Sequence, residues 1–385
     1  MAKIVSYDIF FVQPRWLFLK LETDDGLIGW GEPIVEGRAK TVAQAVKELM
    51  EKYVLKYENI DNIEDIWQLL YRGGFYRGGP ILMSALSGID QALWDIKGKR
   101  YGLPVYQFLG GKCRKKVKVY RWFGGDEADE SPEKIRDLLA LGFRGIKMNI
   151  AGKLNFLLTP NEINSIVKRI GEVREVVGDA VDIAVDFHGR VSPALSSQLI
   201  KPLEQFNLLF IEEPVLPGNI ESLRFIKNKT FTPIALGERL FSRGDFKPYL
   251  IEGLVDIVQP DLSHAGGITE CKKIAEMADS FGALTAFHCP LGPIALAASI
   301  QVAATTYNYL IQETSLGIHY NKGVDLTDYL LNPQIFEIKD GYIEIPENPG
   351  LGVEINEEAL KIYSLKEEDW SNPIWRKEDH SLAEW

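Results

Sequence analysis

Cysteine is scarce in this chain. There are three in 385 residues, Cys113, Cys271 and Cys289, an odd number without paired spacing. Such a set excludes a disulfide framework and a thiolate zinc site, and it fits a reduced, cytoplasmic protein. Positive charge is also in short supply, with 43 Lys and Arg against 54 Asp and Glu and a net charge of -11. A nucleic-acid-binding face needs a basic surplus, so that class is set aside; a small anion in a locally positive pocket is still allowed. No apolar run is long enough to span a bilayer, and Met1-Ala2-Lys3-Ile4 lacks the apolar core of a signal peptide. No Gly-x-Gly-x-x-Gly turn follows the first strand, which argues against a doubly wound dinucleotide fold. Histidine occurs only five times, at 188, 264, 288, 319 and 380. A histidine beside a carboxylate therefore carries weight.

Hydrophobic residues make up 46% of the chain, enough for a large core. The first 31 residues read as β, with a turn at Asp24-Asp25-Gly26. Helical periodicity follows at 39–55 and 63–71, then a glycine-rich loop at 72–80, then a strong helix at 81–99. This block, 1–112, reads as an α+β domain. Between 113 and 320 the texture becomes a regular alternation of strands and amphipathic helices. Strand-like runs fall at 117–123, 145–149, 183–187, 208–212, 234–237, 255–259, 284–288 and 309–313. Eight strands with helical connections predict a TIM-like α/β barrel. Residues 321–385 lose the alternation and end in an aromatic tail expected to fold back onto the rest.

Barrel chemistry gathers where strands end. Strand three ends Asp186-Phe187-His188, and two residues apart in an extended strand share one side. Asp186, Glu212 and Glu238 are separated by 26 residues each, about one strand-helix repeat, so three successive strands each present an acid to one mouth. Three converging carboxylates need a cation. All-oxygen ligation suits Mg²⁺, with Mn²⁺ as the alternative. Such an ion polarises a substrate carboxylate and makes its α-proton acidic. Taken singly, an acid at a strand end is as well explained as a helix cap, Lys147 as a salt bridge to Asp186, and Asp261 as a cap unless His288 is its partner. His264 and His319 carry no partner signal and read as solvated or structural.

With these residues set out, the chain resembles the enolase superfamily, mandelate racemase subgroup, and within it the galactonate-type sugar-acid dehydratases. The resemblance rests on Asp186-Phe187-His188-Gly189-Arg190, Ile211-Glu212-Glu213-Pro214, Gly237-Glu238-Arg239, the run from Gln259 to Gly267, and His288-Cys289-Pro290-Leu291-Gly292. It extends to Tyr76-Arg77-Gly78-Gly79-Pro80 and to the tail. It implies a (β/α)7β barrel under a cap made of the N-terminal block and the C-terminal tail. It implies Mg²⁺ on Asp186, Glu212 and Glu238, His288 as the base oriented by Asp261, His188 as the acid that protonates a departing 3-hydroxyl, and Glu313 as a partner of the substrate carboxylate or enediolate. It also implies a homo-oligomer. Racemases of the subgroup often end the second strand Lys-x-Lys; here the second position is Asn149, which disfavours racemisation and leaves Lys147 as an electrostatic helper. Asn149, Arg239, Tyr76 and Glu32 are the candidates for substrate contacts. The expected reaction is dehydration of an aldonic acid, D-galactonate or D-gluconate first and a pentonate next. A racemase or epimerase, and an idle sugar-acid-binding protein, are the competing readings. Residues 151–159 match the resemblance least well.

Overall fold

The computed structural model describes residues 2–366 and 370–385. The chain opens with an antiparallel meander, β1 (Ile4–Val12), β2 (Trp16–Thr23) and β3 (Ile28–Gly31), in that order. Against it pack α1 (Ala39–Lys52), α2 (Ile63–Arg72) and α3 (Gly79–Tyr101). Val42, Val46, Leu49 and Met50 give α1 its buried stripe at helical spacing. Helix α3 begins two residues earlier than its apolar pattern suggests. Gly78, at φ +76°, turns the chain into the helix, and Pro80 sits in the first turn, where its missing N–H has no partner to lose.

Helix α3 is buried almost all round because it lies between the meander and the barrel. Strand β3 meets it backbone to backbone at Gly31 and Gly88: a Cβ on Gly31 would stand 1.9 Å from the Gly88 carbonyl oxygen. Its other side holds the loop after the sixth barrel strand. Ser84 Oγ pairs with His264 Nδ1 (3.0 Å), Gly266 N–H donates to Ser87 Oγ (2.9 Å), and Gln91 Nε2 donates to the Leu262 carbonyl (2.9 Å). The cap thus fixes the segment that carries Asp261.

The barrel alternates β4 (Lys116–Phe123), α4 (Ile135–Ala140), β5 (Gly145–Asn149), α5 (Pro160–Val177), β6 (Asp182–Asp186), α6 (Pro193–Leu203), β7 (Ile211–Glu212), α7 (Ile220–Lys227), β8 (Ile234–Leu236), α8 (Arg243–Ile251), β9 (Ile257–Val258), α9 (Gly267–Ser280), β10 (Leu284–Thr285), α10 (Pro293–Thr305) and β11 (Gln312–Thr314). Neighbouring strands from β4 to β10 pair in parallel, and β11 pairs in parallel with β4. The bridge Thr285–Tyr309 closes the ring. Eight strands and seven helices make the expected (β/α)7β barrel. Tyr120, Ala184, Phe210, Ala235, Ile257, Ala286 and Ile311 form a buried cluster of their own, drawn from strands around the ring and filling its interior.

Beyond the barrel, β12 (Ile338–Lys339) and β13 (Tyr342–Glu344) form a hairpin whose second strand pairs antiparallel with the start of β4. This part of 321–385 therefore extends the barrel sheet. After α11 (Glu357–Ile362) the chain reaches the cap, where Leu365 N–H donates to the Phe11 carbonyl (2.7 Å). The aromatic tail then lies across the barrel mouth. Trp370 packs on Tyr320, with ring centroids 5.8 Å apart, and Arg190 lies over Trp375 at 4.8 Å. Lys377 lies over Phe156, so the tail also touches the segment 151–159.

Candidate active site

The strand ends converge as the spacing predicts. Asp186 and Glu212 are directly paired across β6 and β7. Glu238 follows β8, and Glu313 sits in β11. Lys147, from β5, lies among three carboxylates, 2.9 Å from Glu212 Oε2, 3.0 Å from Glu313 Oε1 and 3.3 Å from Asp186 Oδ2. His188 Nε2 stands 3.0 Å from Asp186 Oδ2, and His288 Nε2 stands 3.0 Å from Glu238 Oε2. The acid cluster therefore lies between two imidazoles. His288 Nδ1 faces Asp261 Oδ2 at 2.8 Å, and the other Asp261 oxygen accepts the Ser263 N–H at 2.6 Å.

The pairing of Asp186 with His188 does not come from strand alternation. Strand β6 ends at Asp186, and His188 is left-handed at φ +49°. Its own N–H donates to Asp186 Oδ1 (2.7 Å), and this tight turn folds the ring back onto the acid. A non-glycine residue in that region is strained, a state that recurs at functional sites. Arg239 holds the turn in place: it pairs with Glu213 and donates to the His188 carbonyl at 2.9 Å.

Burial in so acidic a site moves the titrations. For His288 burial works downward, but Glu313, Asp261 and Glu238 outweigh it and hold the imidazole well above its usual range. Burial and then Asp186 push Glu212 well above the ordinary carboxylate range. Glu212 Oε1 is buried without a hydrogen-bond or ion-pair partner. Such an orphaned oxygen beside Asp186 is what a hard cation would satisfy. Ligand atoms of Asp186, His188 and Glu238 all lie within 4.8 Å of one another. This grouping contains His188 where the resemblance puts Glu212, because the Glu212 carboxylate is turned to Lys147.

A cavity of about 590 Å³ opens over these groups. Lys147, His188, Glu238, Arg239, His288 and Glu313 line it. Three residues expected to touch substrate do not line this cavity. Glu32 is fully buried and caps α10, accepting the N–H groups of Gly292 (2.6 Å) and Ala295 (3.0 Å). Tyr76 is 86% exposed and borders a separate groove of the cap. Asn149 is buried off the cavity, donating to the Gly125 carbonyl at 3.2 Å. Conversely, His264 is not solvated: it is buried against Ser84 and lines the cavity. Arg15, Trp122, Asp126, Arg190, Tyr320 and Trp385 also line it and were not singled out from sequence. The aromatic tail was the one signal for Trp385.

The profile of the mandelate racemase / muconate lactonizing enzyme N-terminal domain matches residues 11–110, and that of the enolase C-terminal domain-like family matches 130–359. The chain belongs to the enolase superfamily, in its mandelate racemase / muconate lactonizing enzyme branch. Within the superfamily it is 50% identical over 383 residues to the D-galactonate dehydratases of Pectobacterium atrosepticum and Ralstonia pickettii, covering 100% of both chains in each case. Among solved superfamily structures, an enolase from Agrobacterium radiobacter with bound Na and L-malate superposes with a TM-score of 0.89 at 30% identity, covering 99% of each chain. A superfamily member from Salmonella Typhimurium gives 0.83 at 31% identity, over 95% of this chain and 99% of that one.

Proposed function

We propose that this chain is a Mg²⁺-dependent sugar-acid dehydratase that converts D-galactonate to its 2-keto-3-deoxy acid. The carrying observation is the pair of imidazoles, His188 and His288, that flank one carboxylate cluster in a single cavity. Full-length identity to D-galactonate dehydratases supports the substrate class. Asp186, Glu212 and Glu238 would hold the ion, with Mn²⁺ as an alternative. When bound, the ion withdraws charge from the substrate carboxylate and acidifies the neighbouring C–H. His288, its Nδ1–H donated to Asp261 and its Nε2 released from Glu238 when that acid holds the ion, takes the α-proton at Nε2. Lys147 would offset the charge of the enediolate, and Glu313, 3.0 Å from its ammonium, would partner the substrate carboxylate or enediolate. His188 protonates the departing 3-hydroxyl, because hydroxide is too poor a leaving group to depart unaided. The resulting enol tautomerises to the 2-keto acid.

Residues 1–112, 113–320 and 321–385 would serve as cap, barrel and returning segment, the last shared between the other two. The protein would act in the cytoplasm as a homo-oligomer. Among the described residues no helix is long and apolar enough to cross a membrane. The test separates the histidines. His288→Asn should abolish both α-proton exchange with D₂O and dehydration, whereas His188→Asn should lose dehydration and keep exchange. A His188→Asn variant that dehydrates at the wild-type rate would remove the proposed acid.

A further inference from the structure

One wall of the cavity has no part in the proton transfers. Arg190 is only 7% exposed, yet its Nε and one terminal nitrogen have no hydrogen-bond partner. Its remaining nitrogen donates to the carbonyls of Ala151 (3.1 Å) and Asp126 (3.4 Å). Asp126 accepts the Tyr320 hydroxyl on Oδ2 (2.6 Å), while its buried Oδ1 has no partner. The indole N–H groups of Trp122 and Trp385 are likewise buried and unpartnered. All five side chains line the cavity. Buried polar groups left unpaired are costly, and so many on one wall of one cavity call for an explanation.

We infer that Asp126, Arg190 and Trp385 form a subsite for the hydroxylated end of the substrate, selecting a neutral polyol terminus over a second carboxylate. This rests on the sugar-acid reading above and names its specificity determinants. A hydroxyl both donates and accepts, so a polyol chain satisfies a wall that offers indole and guanidinium N–H groups together with a carboxylate oxygen. A terminal carboxylate only accepts. It would confront the unpartnered Asp126 Oδ1, to which a hydroxyl can donate, and Arg15 is already paired with Glu36 at 3.7 Å. Like-charge juxtaposition is how such a site rejects the wrong ligand.

Calorimetric binding of D-galactonate and galactarate, which differ in whether the terminal carbon carries a hydroxyl or a carboxylate, tests this in the presence of Mg²⁺. The wild type should prefer D-galactonate. Asp126→Asn keeps an acceptor for Tyr320 and removes the charge, and should narrow that preference at least about tenfold. Trp385→Phe keeps an aromatic ring, smaller than the indole, and loses the N–H. It should weaken D-galactonate about 5- to 10-fold and leave the short 2-hydroxy acid D-glycerate within about twofold, with an unchanged melting temperature. An unaltered preference in the first variant together with unaltered D-galactonate affinity in the second would overturn the subsite. A wild type that binds D-galactonate with the stated preference but forms no product would refute the dehydratase and uphold the subsite. No binding of D-galactonate by the wild type would overturn both.

Discussion

Replacing Asp261 by Asn tests the proposed base through a residue that does not line the cavity. Asp261 is buried, and its two oxygens have separate tasks: Oδ1 accepts the Ser263 N–H and Oδ2 accepts from His288 Nδ1. The second contact, at 2.8 Å, keeps the proton on Nδ1 and the lone pair on Nε2, where a base must carry it. Asparagine fits the same space. To keep the Ser263 bond on its carbonyl oxygen it must turn its NH₂ toward His288, which favours the other tautomer and leaves Nε2 protonated. It also removes one of the negative charges that hold the imidazole above its usual range. The corresponding change in a serine-protease triad lowers kcat about 10⁴-fold, so a loss of about 10³ to 10⁴ is expected here, equivalent to about 4–5 kcal/mol of barrier. KM should move little. Loss of the substrate α-proton signal in D₂O, followed by NMR, should slow in step with formation of the 2-keto acid. A folded Asp261→Asn variant with kcat within about threefold of wild type would refute the orientation argument.

Lys147→Met removes the ammonium shared by Asp186, Glu212 and Glu313, and breaking a buried ion pair from one side costs about 3–5 kcal/mol. Its melting temperature should fall sharply in chelator, and Mg²⁺ should raise it by more than it raises the wild type; equal Mg²⁺ shifts would contradict a shared charge balance. Glu32→Gln concerns pH. Burial pushes the Glu32 carboxyl from 4.5 up to about 8 despite two N–H donors. The folded state therefore holds a proton that the unfolded chain releases, so this contribution is complete below about pH 4.5 and is lost as pH rises through about 8. Between pH 5 and 8 the wild type should lose stability relative to the Gln variant, by on the order of 4 kcal/mol at most. A melting-temperature difference that stays constant over that range would contradict it.

The strand-end acids were legible because a barrel converts sequence period into convergence. Asp186, Glu212 and Glu238 recur at the length of one strand-helix unit, and Asp186 and Glu212 end up paired in register. The same logic reached Lys147, His288 and Glu313. It did not reach contacts made by chain segments with no periodic relation to the barrel. Glu32 looked like a polar residue beside a turn, yet it caps a helix 260 residues away. Tyr76 sits in a glycine-rich loop that reads as a pocket rim, but its own side chain is exposed on a separate groove, and of that loop only Pro80 lines the cavity. Arg15, Asp126, Arg190 and Trp385 meet only because the cap's first turn, two barrel loops and the tail close over one mouth. His188 reached Asp186 through a left-handed turn that nothing in the local pattern foretold.

The central claim is tested most directly by incubating the purified protein with D-galactonate and Mg²⁺ and measuring 2-keto-3-deoxy acid over time, with and without chelator. The account predicts steady product formation that chelator abolishes and added Mg²⁺ restores. Failure to form that product from any aldonic acid of a stereoisomer panel, or turnover indifferent to chelator, would contradict it.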